Sequence, residues 1–215
     1  MGRMAVRSLL SLVGNTPLVE LRLLAPKAGV RLFAKLEGQN PSGSVKDRIA
    51  LAMVDAAQAK GTLAPGQTIV EASSGNTAIA LAMVGKLTGH PVRAVVPRDV
   101  VPSISDLLAL YGAEVTWCEP RAGLRGAIDL AAALAQEHGY YLLGQFTDPV
   151  NPQTHYQGTG REIAEALAQV DVFVSGIGTG GTIMGVGRRL RETNPDVRVI
   201  GVEPRMGERL QGLRT

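Results

Sequence analysis

From residue 31 onward the chain alternates short β-branched runs with longer stretches whose apolar residues recur at helical spacing. That alternation is the signature of β-α units feeding a largely parallel sheet. The pattern predicts strands at 31–37, 68–72, 91–97, 113–118, 140–144, 170–175 and 197–203, with helices between them. In the first helix Val45, Ile49, Ala52, Met53 and Ala56 form one apolar face that packs on the sheet. Gly112, before the strand at 113, is placed to close a helix. The Pro-, Gly- and Asn-rich segment 144–160 reads as a crossing between two lobes.

Composition narrows the function classes. The 215 residues are 45% hydrophobic, enough for a buried core, and carry a formal net charge of only +3. Aromatic residues are scarce at 4%, which leaves no stacking platform for a nucleic-acid strand, and the basic run at 187–192 reads as a solvated helix face. No stretch reaches the roughly 18 to 20 apolar residues that cross a bilayer, and the N-terminus lacks a cleavage signal, so a cytoplasmic protein is expected. One cysteine, Cys118, excludes an internal disulfide and is read as a buried structural thiol. His90, His138 and His155 show no ligand spacing, and no metal is expected.

Three strand-to-helix loops combine glycine with hydroxyl or amide side chains. They are 40–46 (NPSGSVK), 73–77 (Ser73, Ser74, Gly75, Asn76, Thr77) and 175–182, which holds Gly176, Gly178, Thr179, Gly180, Gly181 and Thr182. Loops of this kind gather at the carboxyl ends of strands, where ligands bind. In the third, backbone N–H groups and a helix start favour an anion such as phosphate. Gly176, Gly178 and Gly181 also satisfy G-x-G-x-x-G with Glu203 ending the next strand, so a nicotinamide-linked dehydrogenase stays open on that loop alone. Packing alone is a further use for such glycines. The donors at 73–77 suit a carboxylate.

Lys46 stands in the first turn of a helix, where the dipole and partial burial both disfavour the ammonium. A neutral amine is the form that attacks a carbonyl, so Lys46 is a candidate imine-forming lysine, against the alternative of an exposed lysine tolerated there. Lys35, mid-strand, is expected to snorkel or pair with Glu37. A phosphate cradle, a carboxylate-binding helix start and an imine lysine together point to pyridoxal phosphate acting on an amino acid.

The segments VGNTPLVEL, KLEGQNPSGSVKDR, EASSGNTAIALA, YGAEV, QFTDPVNPQTHYQGTGREI and GIGTGGTIMGVGRRLRE, in this order, resemble the motifs of the cysteine synthases of the tryptophan-synthase-β fold type, in particular the cysteine synthase B branch. The resemblance implies an α/β, two-lobed fold type II pyridoxal-phosphate enzyme with open, mostly parallel twisted sheets flanked by helices. The small lobe would comprise 1–12 and 38–147, and the large lobe 13–37 and 148–215. It implies that Lys46 is the Schiff-base lysine, that Asn76 bonds the pyridoxal hydroxyl, and that Gly178, Thr179, Gly180, Gly181 and Thr182 hold the phosphate. Ser73, Ser74, Gly75, Thr77 and Gln145 would take the substrate carboxylate, Ser73 standing where the family has Thr and keeping the hydroxyl.

The reaction implied is β-replacement: L-cysteine from O-acetyl-L-serine and a sulfur donor, in a homodimer. O-phospho-L-serine is the other substrate, with Arg214 and then Arg205 as candidates for its phosphate. Relatives run on for roughly another 80 to 100 residues, so the end of the large lobe, with the serine that faces the pyridine nitrogen, is expected to be absent. The alternatives are a related β-elimination or replacement enzyme, such as cystathionine β-synthase or a serine/threonine dehydratase, and a catalytically impaired amino-acid-binding or subunit-interaction protein.

Overall fold

The computed structural model describes residues 8–25, 27–73, 75–98, 102–119, 123–205, 208 and 213. At its centre is a four-stranded parallel sheet built from β3 (Ile69–Ala72), β4 (Val92–Pro97), β5 (Glu114–Cys118) and β6 (Tyr141–Leu142), in the order β5-β4-β3-β6. Each strand is the core of a predicted β-branched run, trimmed at its ends. On one face Ile69 packs with Ile49 and Met53 of α1 (Lys46–Ala59) and with Met83 of α2 (Asn76–Thr88). On the same side α3 (Pro102–Tyr111) sets Ile104 and Leu108 against Ala94 and Val96. On the other face Val70, Ala72 and Val95 meet Ala127 and Ala131 of α4 (Gly123–His138), with Cys118 buried beside them. The alternation of side chains along each strand thus gives both helix layers an apolar floor.

Two smaller sheets also occur among the described residues. β7 (Val172–Gly176) and β8 (Arg198–Val202) pair in parallel, and α7 (Gly181–Arg191) between them buries Val186 and Leu190 against Ile163 and Val197. The run predicted at 31–37 shortens to β2 (Phe33–Lys35), which pairs antiparallel with β1 (Leu18–Glu20), a three-residue strand too short to announce itself in the sequence. The segment 144–160 is helical from Val150 onward rather than irregular throughout. α5 (Val150–His155) runs through a π-helical turn at Tyr156–Gly160 into α6 (Arg161–Ala166). π turns inside helices cluster at functional sites.

Close approach fixes α7 against α5. A Cβ on Gly185 would lie 2.2 Å from the Pro152 carbonyl oxygen and 2.7 Å from the Tyr156 nitrogen, and one on Gly181 would lie 1.8 Å from Asn151 Oδ1. Both glycines are therefore needed for packing, one helical turn apart on the same face. Gly180, by contrast, is needed for its φ of +85° and has nothing within 4 Å of where a Cβ would stand.

A cluster of four charges anchors the start of α1. The Arg48 guanidinium, whose side chain is 4% exposed, donates to Glu37 from Nε (2.7 Å) and Nη2 (2.9 Å), and to Glu162 of α6 from Nη1 (2.6 Å) and Nη2 (2.8 Å). Lys35 donates to Glu162 and to Thr16 Oγ1, both at 2.6 Å. The expected Lys35–Glu37 pairing is thus replaced by one with Glu162, because Glu37 is bonded to Arg48, Thr16 and Asn40. Burial by itself raises the Glu162 carboxyl, but the bonds from Arg48 and Lys35 outweigh it and bring its pKa down to about 2.

Three outcomes follow from these contacts. Arg48→Ala, which leaves Glu37 and Glu162 without their main cation, should lower the unfolding free energy by about 3–5 kcal/mol in chemical denaturation. Gly185→Ala should cost about 1–3 kcal/mol in the same assay, since its neighbours are backbone atoms that cannot swing away. Glu162 titrates below its ordinary 4.5, so its contribution is complete above that pH and is lost as pH falls toward 2; Glu162→Gln should flatten the acid limb of the stability profile.

Candidate active site

The chain turns into α1 through Ser42, Gly43 and Ser44. Gly43 takes a φ of +92°, which a residue with a side chain rarely adopts, and the turn closes with the Gly43 N–H on the Asn40 carbonyl (2.8 Å). Asp47 lies fully buried and accepts the Ser42 N–H (2.7 Å) and the Ser42 hydroxyl, while the Lys46 N–H donates to Ser44 Oγ at 3.2 Å. These bonds, with Arg48 locked in the charge cluster, fix the backbone on both sides of Lys46. The Lys46 amine itself forms no ion pair or hydrogen bond among the described residues. Burial pulls its pKa below that of a free lysine. The ammonium is disfavoured and no group among the described residues compensates for it.

His155 joins the π-helical turn to the glycine loop. The imidazole is 2% exposed, with Nδ1 3.0 Å from Thr159 Oγ1 and Nε2 3.3 Å from Thr182 Oγ1. Burial first, then the positive charges of Lys46 and Arg48, bring its pKa down to about 3, so the ring is neutral at ordinary pH. A neutral ring has one N–H, so it donates to one threonine and accepts from the other. The loop ends at Gly180, which caps α7 with no side-chain hydrogen bond of its own; in the first turn the Gly181 N–H donates to Thr179 Oγ1 at 3.4 Å. Asn151 Nδ2 donates to Thr179 Oγ1 (2.9 Å) and to the Gln145 carbonyl (2.8 Å), tying this loop to the next.

At the carboxyl end of β3, Ser73 Oγ accepts the N–H groups of Gly75, the N-cap of α2, and of Ala78 in its first turn, both at 3.2 Å. Thr77 donates to Gln145 Oε1 at 2.6 Å, and the Gln145 side-chain nitrogen donates to the Ala72 carbonyl at 2.9 Å. Gly75 is buried and Asn76 is exposed in the first turn of α2. The structure thus joins Ser73, Thr77 and Gln145 around one helix start, and Thr179 and Thr182 around another. Arg205 lies exposed beyond β8 with its side chain bonded to none of these groups among the described residues. Ser74 and Arg214 lie outside the described residues.

Asn151 and His155 were not singled out by the sequence reading. The available signal was a polar stripe at 151, 155 and 159, four residues apart within a segment taken for a connection; all three are buried.

The residues present fit pyridoxal phosphate. A desolvated, unpartnered amine suits imine formation with its aldehyde. The glycine-shaped turn into α7, open where a Cβ on Gly180 would stand and with Gly180 itself offering no side-chain cap, suits its phosphate. No group of three metal-ligating side chains occurs among the described residues, and no described helix is long and apolar enough to cross a membrane.

Residues 9–214 match the family described as pyridoxal-phosphate dependent enzyme. The chain is 43% identical over 203 residues to cysteine synthase B of Salmonella typhimurium, covering 94% of this chain and 67% of that protein. It is 39% identical to a cysteine synthase of Staphylococcus aureus, covering 99% and 69%. Among solved structures, O-ureido-L-serine synthase superposes with a TM-score of 0.94 at 38% identity, over 99% of this chain and 71% of that one. Cysteine synthase from Entamoeba histolytica superposes with a TM-score of 0.88 at 34% identity, over 98% and 67%. The chain spans about two thirds of the length of the curated relatives. The nicotinamide reading of the glycine loop is thereby set aside: the chain belongs to the pyridoxal-phosphate dependent enzymes of fold type II, alongside the cysteine synthases.

Proposed function

We propose that this chain carries out β-replacement on an activated serine, forming L-cysteine from O-acetyl-L-serine and a sulfur donor. The observation that carries the reading is the half-buried Lys46 amine, lowered in pKa by burial and without a hydrogen bond or ion pair among the described residues. In this reading Lys46 binds the cofactor and then, as the freed neutral amine, takes the Cα proton of the substrate. Gly178, Thr179, Gly180, Gly181 and Thr182 hold the phosphate, and Asn76 meets the ring hydroxyl. Ser73, Ser74, Gly75, Thr77 and Gln145 bind the substrate carboxylate and align the Cα–H bond with Lys46. When bound, the cofactor supplies the electron sink that stabilises negative charge at Cα. Acetate then departs from Cβ, and the sulfur nucleophile adds in its place.

The same reading assigns 1–12 and 38–147 to a small lobe carrying Lys46 and the carboxylate loop, and 13–37 and 148–215 to a large lobe carrying the phosphate loop. It takes the working form to be a cytoplasmic homodimer. The likeness to O-ureido-L-serine synthase makes the nucleophile the part of the reaction most open to variation. O-phospho-L-serine is the alternative substrate, for which Arg214 and Arg205 are the candidate phosphate partners.

Protein supplied with pyridoxal phosphate should gain a visible absorption band that Lys46→Ala lacks. Cysteine formation in that variant should fall by about 10²- to 10⁴-fold. A protein that takes up no cofactor overturns the reading. Comparing turnover of the two activated serines, before and after Arg214→Ala and Arg205→Ala, assigns the leaving group: a loss confined to O-phospho-L-serine marks the phosphate partner.

A further inference from the structure

The mechanism above makes no use of Glu71, a carboxyl group 2% exposed in the middle of the central sheet. β6 pairs with β3 only through Ile69↔Tyr141 and Val70↔Leu142, and the chain then leaves the sheet at Gly144, whose φ is +74°. Where the ladder would continue, Glu71 Oε2 accepts the Gly144 N–H at 2.6 Å and the Gln145 N–H at 3.4 Å. Glu71 Oε1 accepts from the Gln145 side-chain nitrogen at 3.3 Å. The other end of that amide accepts the Thr77 hydroxyl at 2.6 Å. Gln145 is therefore a bridge with Glu71 at one end and the carboxylate-binding loop at the other.

No cation neutralises Glu71 among the described residues. Packed on its side of the sheet are α1, with Lys46, Asp47, Arg48 and Asp55 and with Lys60 just past its end, and α2, with Lys86; α3 carries Tyr111 and an exposed Asp106, β6 carries Tyr141 and the following turn carries Asp148. None of them bonds to Glu71. Asp47 is held by Ser42, Arg48 by Glu37 and Glu162, and Asp148 by the Val150 N–H. Arg93 of β4 lies on the opposite face with Val70 and pairs with Glu114. His155 is neutral. Burial raises the Glu71 carboxyl to about 7, against the bonds from Gly144 and Gln145 that favour the anion.

We propose that Glu71 is the positioning residue for Gln145, and that binding of an amino-acid carboxylate at the 73–77 loop is coupled to uptake of a proton by Glu71. The inference rests on the reading of that loop as the carboxylate site. A carboxylate beside Thr77 stands one amide group away from Glu71, and two anions sharing one buried amide cannot both keep their charge cheaply. The bound state therefore favours neutral Glu71. Its affinity for the ligand falls as pH rises through the range in which Glu71 ionises, and proton uptake is largest just above that range.

L-Alanine, which has no leaving group at Cβ, serves as the probe with the cofactor-loaded protein. Calorimetric titration in buffers of different ionisation enthalpy counts the protons taken up. The wild-type protein should take up as much as about one proton more than Glu71→Gln above neutrality. Its dissociation constant should rise by as much as about tenfold per pH unit there, while Glu71→Gln keeps the low-pH affinity with a flatter profile. Infrared spectra of the wild type, which need no variant, should show a neutral carboxyl band that grows when L-alanine is added above pH ~7. Equal proton counts and parallel profiles in the two proteins, or an infrared band insensitive to ligand, overturn the proposal. A cofactor-loaded protein that binds no amino acid at any pH overturns the carboxylate-site reading itself, and the proposal with it.

Discussion

Four charges packed together, the buried Arg48 with the partly buried Lys35, Glu37 and Glu162, set the frame on which the rest of the molecule depends. They come from α1, β2, the turn after β2 and α6, elements separated by up to 127 residues in sequence. The cluster is neutral in sum, and each carboxylate accepts bonds from at least one cation. Such groups are poor sources of net stability, since their desolvation cancels much of their attraction. Their value is geometric. Arg48 forks between two carboxylates, leaving little freedom in where the first turn of α1 can sit, and Lys46 is two residues away.

Beyond that cluster, the buried ionisable groups obey the opposite rule. Lys46, His155 and Glu71 lack a partner of opposite charge among the described residues, and burial drives each toward its neutral form: the lysine and histidine down, the glutamate up. One fold thus keeps paired charges ionised and unpaired ones poised to be neutral. The neutral groups are the chemically useful ones. A free amine takes protons, a neutral imidazole can join two threonine hydroxyls, and a carboxyl that titrates near neutrality can exchange a proton at ordinary pH.

The β-α order, seven of the eight strands among the described residues and the place of Lys46 were legible in the sequence because each rests on local pattern: alternating apolar runs, helical spacing, and a glycine turn before a helix. The donor-rich starts of α2 and α7 were legible for the same reason. What escaped is non-local. Lys35 looked toward Glu37 because that acid is close in sequence, and only the fold shows Glu37 committed to Arg48 while Glu162 arrives from α6. Glu71 read as one acid inside a strand, and nothing local says that β6 leaves the sheet beside it. Asn151 and His155 were hidden because Pro and Gly made 144–160 look like a loop, whereas the chain winds a π turn there.

That segment also settles how the glycine loop takes its shape. Glycine at 181 and 185 is required by α5, whose Asn151 and Pro152 occupy the space a Cβ would need, while Gly180 alone is required by conformation among these three. Packing and ligand binding are therefore not rival explanations of the glycine-rich sequence. Close contact with α5 brings Asn151 to Thr179 and His155 to Thr182, and Asn151 reaches on to the Gln145 carbonyl. The two helix starts proposed to bind phosphate and carboxylate are thus held by one helical stripe. A displacement of α5 would move both together, and the bonds from Gln145 to Glu71 and Thr77 would have to follow.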